Sequence, residues 1–211
     1  YRYFPDPDLM PIVISDDRLQ RLTAELPTLP DERKAHYVHH YGLGAYDAEQ
    51  LVSSRAVADY FEAAAATTQS PKLLANLITT EVFRMLGDGD EETVPPFPAA
   101  HLGDLVSRVA DETINIGIAK RVLGAMWAGE GHPDAVIAAQ DLKQISDEAV
   151  LGPVVAAVVS EGAKAVAEYH AGKEKALQSL VGQVMARTKG KANPRKVNEL
   201  LEKAVGPAKP L

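Results

Sequence analysis

Apolar side chains recur at intervals of three and four through most of the chain, the period of a helix with one buried stripe. Ser15, followed by Asp16 and Asp17, reads as a helix start, with Leu19, Leu22 and Leu26 on one face. Pro30 opens a run that stops at Gly42, and Asp47 and Ser54 are suited to cap two further helices. The second of these carries Val57, Tyr60, Phe61 and Ala64. Ser70-Pro71 joins a cap to a proline at the first helical position. The stripe Leu74, Leu77, Ile78, Val82, Met85 and Leu86 follows, and breaks at Gly87 to Asp90. Leu102, Leu105, Val106 and Val109 predict another helix, and Ile118–Met126 one more.

A second unit begins near Lys143. Ser146, with Asp147 and Glu148 behind it, is the expected cap of a helix that Pro153 should kink or shorten. Helices over Lys164–Ala171 and Lys173–Thr188 come next, the latter with Leu177, Leu180, Val181, Val184 and Met185 on one stripe. Asn193-Pro194 starts the last helix, whose stripe is Val197, Leu200, Leu201 and Val205 before Gly206-Pro207. Only Tyr1–Phe4 reads as a strand, running into the turn Pro5–Asp8. A chain that opens in mid-strand points to a domain upstream. The pattern predicts an all-α fold in two helical units, with a mobile joint over Asp141–Ser146.

Composition narrows the options. The chain has 211 residues, of which 46% are hydrophobic and only 6% aromatic, so alanine, leucine and valine must form the core. The longest apolar run, Val154–Val159, falls far short of the roughly 20 residues of a spanning helix. There is no cysteine, which removes thiolate metal sites and cysteine nucleophiles, and no secretion signal opens the sequence. A cytoplasmic location is the default expectation.

The net charge of −7 is uneven. Lys164–Lys203 holds nine basic and four acidic residues, whereas the remainder holds 13 and 25. Such a stretch is either an address for a polyanion or a solvated helical face. Its densest part is Lys173 and Lys175, then Lys189, Lys191, Arg195 and Lys196. In an antiparallel hairpin the first pair would lie one helix length from the others, giving two patches. Gly190 would let a ligand approach the backbone, and free N–H groups after Asn193 would favour an anion.

Other chemistry finds little support. His36, His39 and His40 share a helix face without the further ligands a metal needs. The acidic run from Asp88 has Thr93 and Ala99 where a calcium loop needs glycine and glutamate. Asp6 and Asp8 are flanked by prolines, as in a turn. No phosphate loop, dinucleotide fingerprint or nucleophile elbow occurs. No catalytic residue and no metal ligand is expected.

Several segments resemble the GatB family, the B subunits of aspartyl/glutamyl-tRNA amidotransferases. They are Tyr1–Leu9, Lys143–Glu148, Gly172–Leu177 with Val181–Met185, and Thr188–Pro194, and the likeness runs in order along the whole chain. The resemblance implies the edge of a catalytic cradle domain (1–14), a helical domain (15–142) and a tail similar to the YqeY proteins (143–211). In that family the complex activates Glu or Asp misacylated on tRNA with ATP and magnesium, then amidates it with ammonia that the A subunit releases from glutamine. ATP, magnesium and catalysis would then belong to the full-length protein. The expected partners are tRNA(Gln) or tRNA(Asn) and the amidotransferase A and C subunits in a heterotrimer, without a membrane. The tail residues Lys173, Lys175, Lys189, Lys191, Arg195 and Lys196 would hold tRNA. The alternative is a helical scaffold for protein assembly without RNA contact. Two departures stand out: Gly117 replaces the lysine of the family's usual Thr-Ile-Ser-Gly-Lys-Ile-Ala-Lys turn, and Leu77 stands where tryptophan is common.

Overall fold

A computed structural model describes residues 13–87, 93–173 and 175–206. The strand and turn expected at the N-terminus, Asp6 and Asp8, the acidic run over 88–92 and Pro207 lie outside the described residues.

The helical stripes fold into α1 (Asp16–Glu25), α2 (Pro30–His40), α3 (Ala45–Leu51), α4 (Arg55–Ala65) and α5 (Pro71–Leu77). A π-helical turn, Ile78–Val82, carries α5 into α6 (Phe83–Leu86), and α7 (Ala99–Ala110), α8 (Ile116–Trp127) and α9 (Pro133–Ala139) complete this part. The rest comprises α10 (Glu148–Glu161), α11 (Ala163–His170), α12 (Lys175–Arg187) and α13 (Pro194–Val205). The fold is all-α among the described residues, as the periodicity predicts.

Several starts are set by side chains that accept orphan N–H groups. Ser15 caps Arg18 N, Ser54 caps Val57 N, Asn115 caps Ile118 N, and Asn193 caps Arg195 N and Lys196 N. Three expectations shift. Gly44 precedes α3, and Asp47 lies within its first turn. Asp147, one residue beyond Ser146, caps α10 by accepting from Ala149 N. Pro153 does not shorten α10, which runs fourteen residues through it. The hydrogen bond lost to the Ala149 carbonyl is outweighed by burial of Leu151, Val155 and Val158. The helix α9 is additional to the expected set, its seven residues being too short to show a full stripe.

Buried apolar side chains form two clusters. The first spans Tyr37 to Leu142 and draws on α2 to α9; we call this part the body. Its scarce aromatic rings meet at two places: the ring centres of Tyr37 and Phe61 lie 4.9 Å apart and those of Tyr41 and Phe61 5.5 Å, while Phe97 meets Trp127 edge-on at 6.0 Å. The buried Tyr37 hydroxyl donates to Glu62 over 2.8 Å. The second cluster, in what we call the tail, joins Leu151, Val155 and Val158 of α10 to Leu180 and Val184 of α12 and Val197 and Leu201 of α13. Leu77, at the family's tryptophan position, is buried in the first cluster. By contrast, Leu19, Leu22 and Leu26 of α1 stay exposed, because no described element packs extensively on their face.

With so many small side chains, helices approach closely. α4 crosses α7 at Gly103, where a β-carbon would run into the Ala64 carbonyl and the Thr67 hydroxyl. Gly103→Ala should therefore destabilise the chain by about 1–3 kcal/mol. Gly182→Ala, in α12 with open space around it, should stabilise it by about 0.5–1 kcal/mol. Urea midpoints of the two variants check the opposite signs.

Candidate nucleic-acid interface

The basic residues of the tail occupy both ends of α12. At about 1.5 Å per residue, its thirteen residues span roughly 20 Å, so Lys173 and Lys175 form a patch separate from Lys189, Lys191, Arg195 and Lys196. The first patch borders a shallow groove of 430 Å³ that mixes Lys164, Lys173 and Lys175 with Glu161 and Glu168. Lys173 pairs loosely with Glu168 at 3.8 Å, and both side chains are exposed.

At the other end, α12 closes through two left-handed residues, Lys189 (φ 54°) and Gly190 (φ 76°). The lysine pays a steric cost on the order of 1–2 kcal/mol there, which Gly190 avoids for want of a β-carbon. This sharp turn leaves Lys189 exposed, with no ion pair among the described residues. Lys196 meets Glu199 at 2.9 Å, and Arg195 meets the same carboxylate at 3.7 Å. The pairing raises the Lys196 ammonium above its ordinary value and lowers the Glu199 carboxyl. Exposed pairs of this kind are worth little, so a phosphate can compete for these cations.

Two expectations about the turn change. The N–H groups after Asn193 are occupied, because Asn193 Oδ1 accepts from Arg195 N at 3.0 Å and from Lys196 N at 3.3 Å. An anion would have to displace the protein's own cap. Lys191 is also engaged: its Nζ lies 2.9 Å from Asp141 of the body, and its side chain is 23% exposed. The ion pair holds the Asp141 carboxyl below its usual range.

The segment Asp141–Ser146, expected as a mobile joint, is stitched to its surroundings. Gln144 N–H donates to the Thr113 carbonyl at 2.8 Å, and Ile145 N–H to the Lys191 carbonyl at 2.7 Å. Asn193 N–H donates back to Ile145 at 2.9 Å, making an isolated parallel bridge between Ile145 and Ala192. Asn115 adds two bonds from its Nδ2, to the carbonyls of Gly190 at 2.9 Å and Ala192 at 3.2 Å. Sequence reasoning passed over Asn115; the signal was an amide in the cap position where the family pattern carries serine.

In the body, Gly117 offers no side chain in the first turn of α8, and Lys120 is held by Glu81 at 2.7 Å. Glu81 lies in the π-helical turn, is buried, and also accepts from Arg84 at 2.9 Å. His36 and His40 stack with ring centres 4.8 Å apart. Among the described residues no three histidine, aspartate or glutamate side chains gather as a metal site. No single described helix is long and apolar enough to cross a membrane.

A helical body carrying a small tail, with lysines at the ends of its helices, is the class of structure these observations define. The chain belongs to the GatB domain family, whose model (GatB_Yqey) matches residues 59–205. It is 49% identical over 211 residues to the B subunit of the aspartyl/glutamyl-tRNA(Asn/Gln) amidotransferase of Bordetella parapertussis, covering 98% of this chain and 44% of that protein. The protein of the same description from Burkholderia thailandensis is 47% identical over 213 residues, with 98% and 44% covered. The chain thus spans less than half the length of these curated relatives.

Lys120, and then Arg84, hold the Glu81 carboxyl below the ordinary glutamate value by hydrogen bonding to its charged form. A lowered pKa in the folded state gives stability that is complete above the unfolded pKa of about 4.3 and is lost as pH falls through the folded value. Glu81→Gln should cost about 1 kcal/mol at neutral pH, discounted for the exposed partners. The difference from the parent should shrink as the solution is acidified below about pH 4, measured by urea unfolding at both pH values.

Proposed function

We propose that the chain is the tRNA-engaging part of the B subunit of an aspartyl/glutamyl-tRNA amidotransferase. The observation that carries this reading is identity of 47–49% to proteins of that description along 98% of the chain. The concentration of basic residues in the tail of an otherwise acidic protein supports it. Lys173, Lys175, Lys189, Arg195 and Lys196 contact phosphates, supplying affinity and register with little sequence information. Discrimination between tRNA(Gln) and tRNA(Asn) then comes from shape recognised over a broader surface. Conversion of misacylated Glu-tRNA(Gln) or Asp-tRNA(Asn), with ATP, magnesium and glutamine, takes place in the full-length protein assembled with the A and C subunits. The setting is the cytoplasm, where these tRNAs are found.

Salt dependence tests the reading. Log affinity for tRNA should fall linearly with log salt concentration, and Lys189→Gln should flatten that slope by about 0.7–0.9 while weakening different tRNAs alike. Binding that is absent, or a slope that Lys189→Gln leaves unchanged, favours the scaffold reading, in which the helices serve only protein assembly. The purified chain given ATP, glutamine and misacylated tRNA should form no amidated product; product formation would place catalysis within it.

A further inference from the structure

The body and the tail have separate apolar cores, so polar contacts decide how one sits on the other. Those contacts converge on the turn between α12 and α13. Asn115 is 8% exposed and uses its whole side chain: Oδ1 accepts from Ile118 N at 2.9 Å, and Nδ2 donates to Gly190 and Ala192. Lys191 bridges to Asp141, and Asn193 Nδ2 reaches Glu112 at 3.4 Å and Ser146 at 3.3 Å. The only non-glycine residues with left-handed backbone among the described residues are Glu112, Asp141 and Lys189. All three border this junction, a clustering expected where surrounding contacts enforce a particular geometry.

We propose that Asn115 is a positioning residue for the tail. Its amide clamps the Gly190 and Ala192 carbonyls and so sets the bearing of Lys189, Arg195 and Lys196 relative to the body. Lys191 acts with Asp141 as a strut across the same junction and makes no phosphate contact. The functional side of this assignment rests on the tRNA reading above; the mechanical side does not.

Asn115→Asp is the sharpest variant, because it keeps the oxygen that caps α8 and turns a donor towards two carbonyls into an acceptor. Asn115→Ser keeps a capping oxygen, but its single short hydroxyl proton cannot serve both carbonyls, so it serves if the aspartate variant fails to fold. The chain has no cysteine, and cysteines introduced at Ala135 of α9 and Gln178 of α12, both exposed, accept spin labels cleanly. Pulsed electron resonance should give one narrow distance distribution for the parent. A broadened or shifted distribution is expected for Asn115→Asp and Asn115→Ser at unchanged helix content. Lys191→Asp should broaden it as well, and Lys191→Asp combined with Asp141→Lys should narrow it again. A distribution identical to the parent's in the folded Asn115 variants overturns the positioning role, and failure of the charge exchange to restore the distance overturns the strut.

Affinity for tRNA provides the readout that a stability defect would not reproduce. Asn115→Asp should weaken binding several-fold with the salt slope unchanged, since the contacting cations remain, and Lys191→Gln should likewise leave the slope unchanged. A flattened slope in Lys191→Gln would return Lys191 to the phosphate-binding set. If no variant binds tRNA and the distances still respond, the tRNA reading fails while the clamp stands.

Discussion

The geometry of the chain hangs on an amide that cannot serve one neighbour without serving the other. Asn115 starts α8 with its oxygen and holds the tail's turn with its nitrogen. Being buried, it cannot fall back on water, and a buried donor left unpaired costs about 1–3 kcal/mol. The beginning of a body helix and the path of a tail turn are therefore one problem with one solution. Apolar contact is tolerant of sliding, whereas two carbonyls converging on one NH₂ group fix a direction. That is how two small cores in a chain poor in aromatic rings can hold a defined relation.

Much of this was legible because helix physics is local. The stripes over residues 74–86, 177–185 and 197–205 register directly in sequence, as do caps such as Ser54 and Asn193, since each depends on residues within a few positions. What failed involved choosing among neighbours or looking across the chain. Ser146 and Asp147 are both good caps, and only the fold shows that Asp147 accepts from Ala149 while Ser146 turns to Gln144 and Asn193. A periodic stripe gives a face without naming what covers it, which is why Leu19, Leu22 and Leu26 share a face in sequence and yet lie exposed.

The basic character of the tail was legible in the sequence, whereas the surroundings of its individual lysines were not. Lys189 and Lys191 are two positions apart and look equivalent in sequence. In the fold, one projects from a left-handed turn and the other crosses the junction to Asp141. That partner lies fifty residues away, beyond any local pattern. Asn193 repeats the lesson: the residue that marks a helix N-terminus as an anion site also fills it.

The charge distribution then gives the fixed junction its consequence. Residues 13–142 hold 10 basic and 20 acidic side chains, whereas residues 143–211 hold 11 and 7. At physiological salt a charge is felt over about 8 Å, so a polyanion near the tail responds to the lysines it faces and to whichever acidic groups the junction brings within that range. The same cations on a freely swinging tail would present a field averaged over many orientations. On a tail clamped at Gly190 and Ala192, they present attraction on one side and repulsion from the body on the other. A held orientation converts an uneven composition into a directional surface, and direction is what placing a large, shaped anion requires.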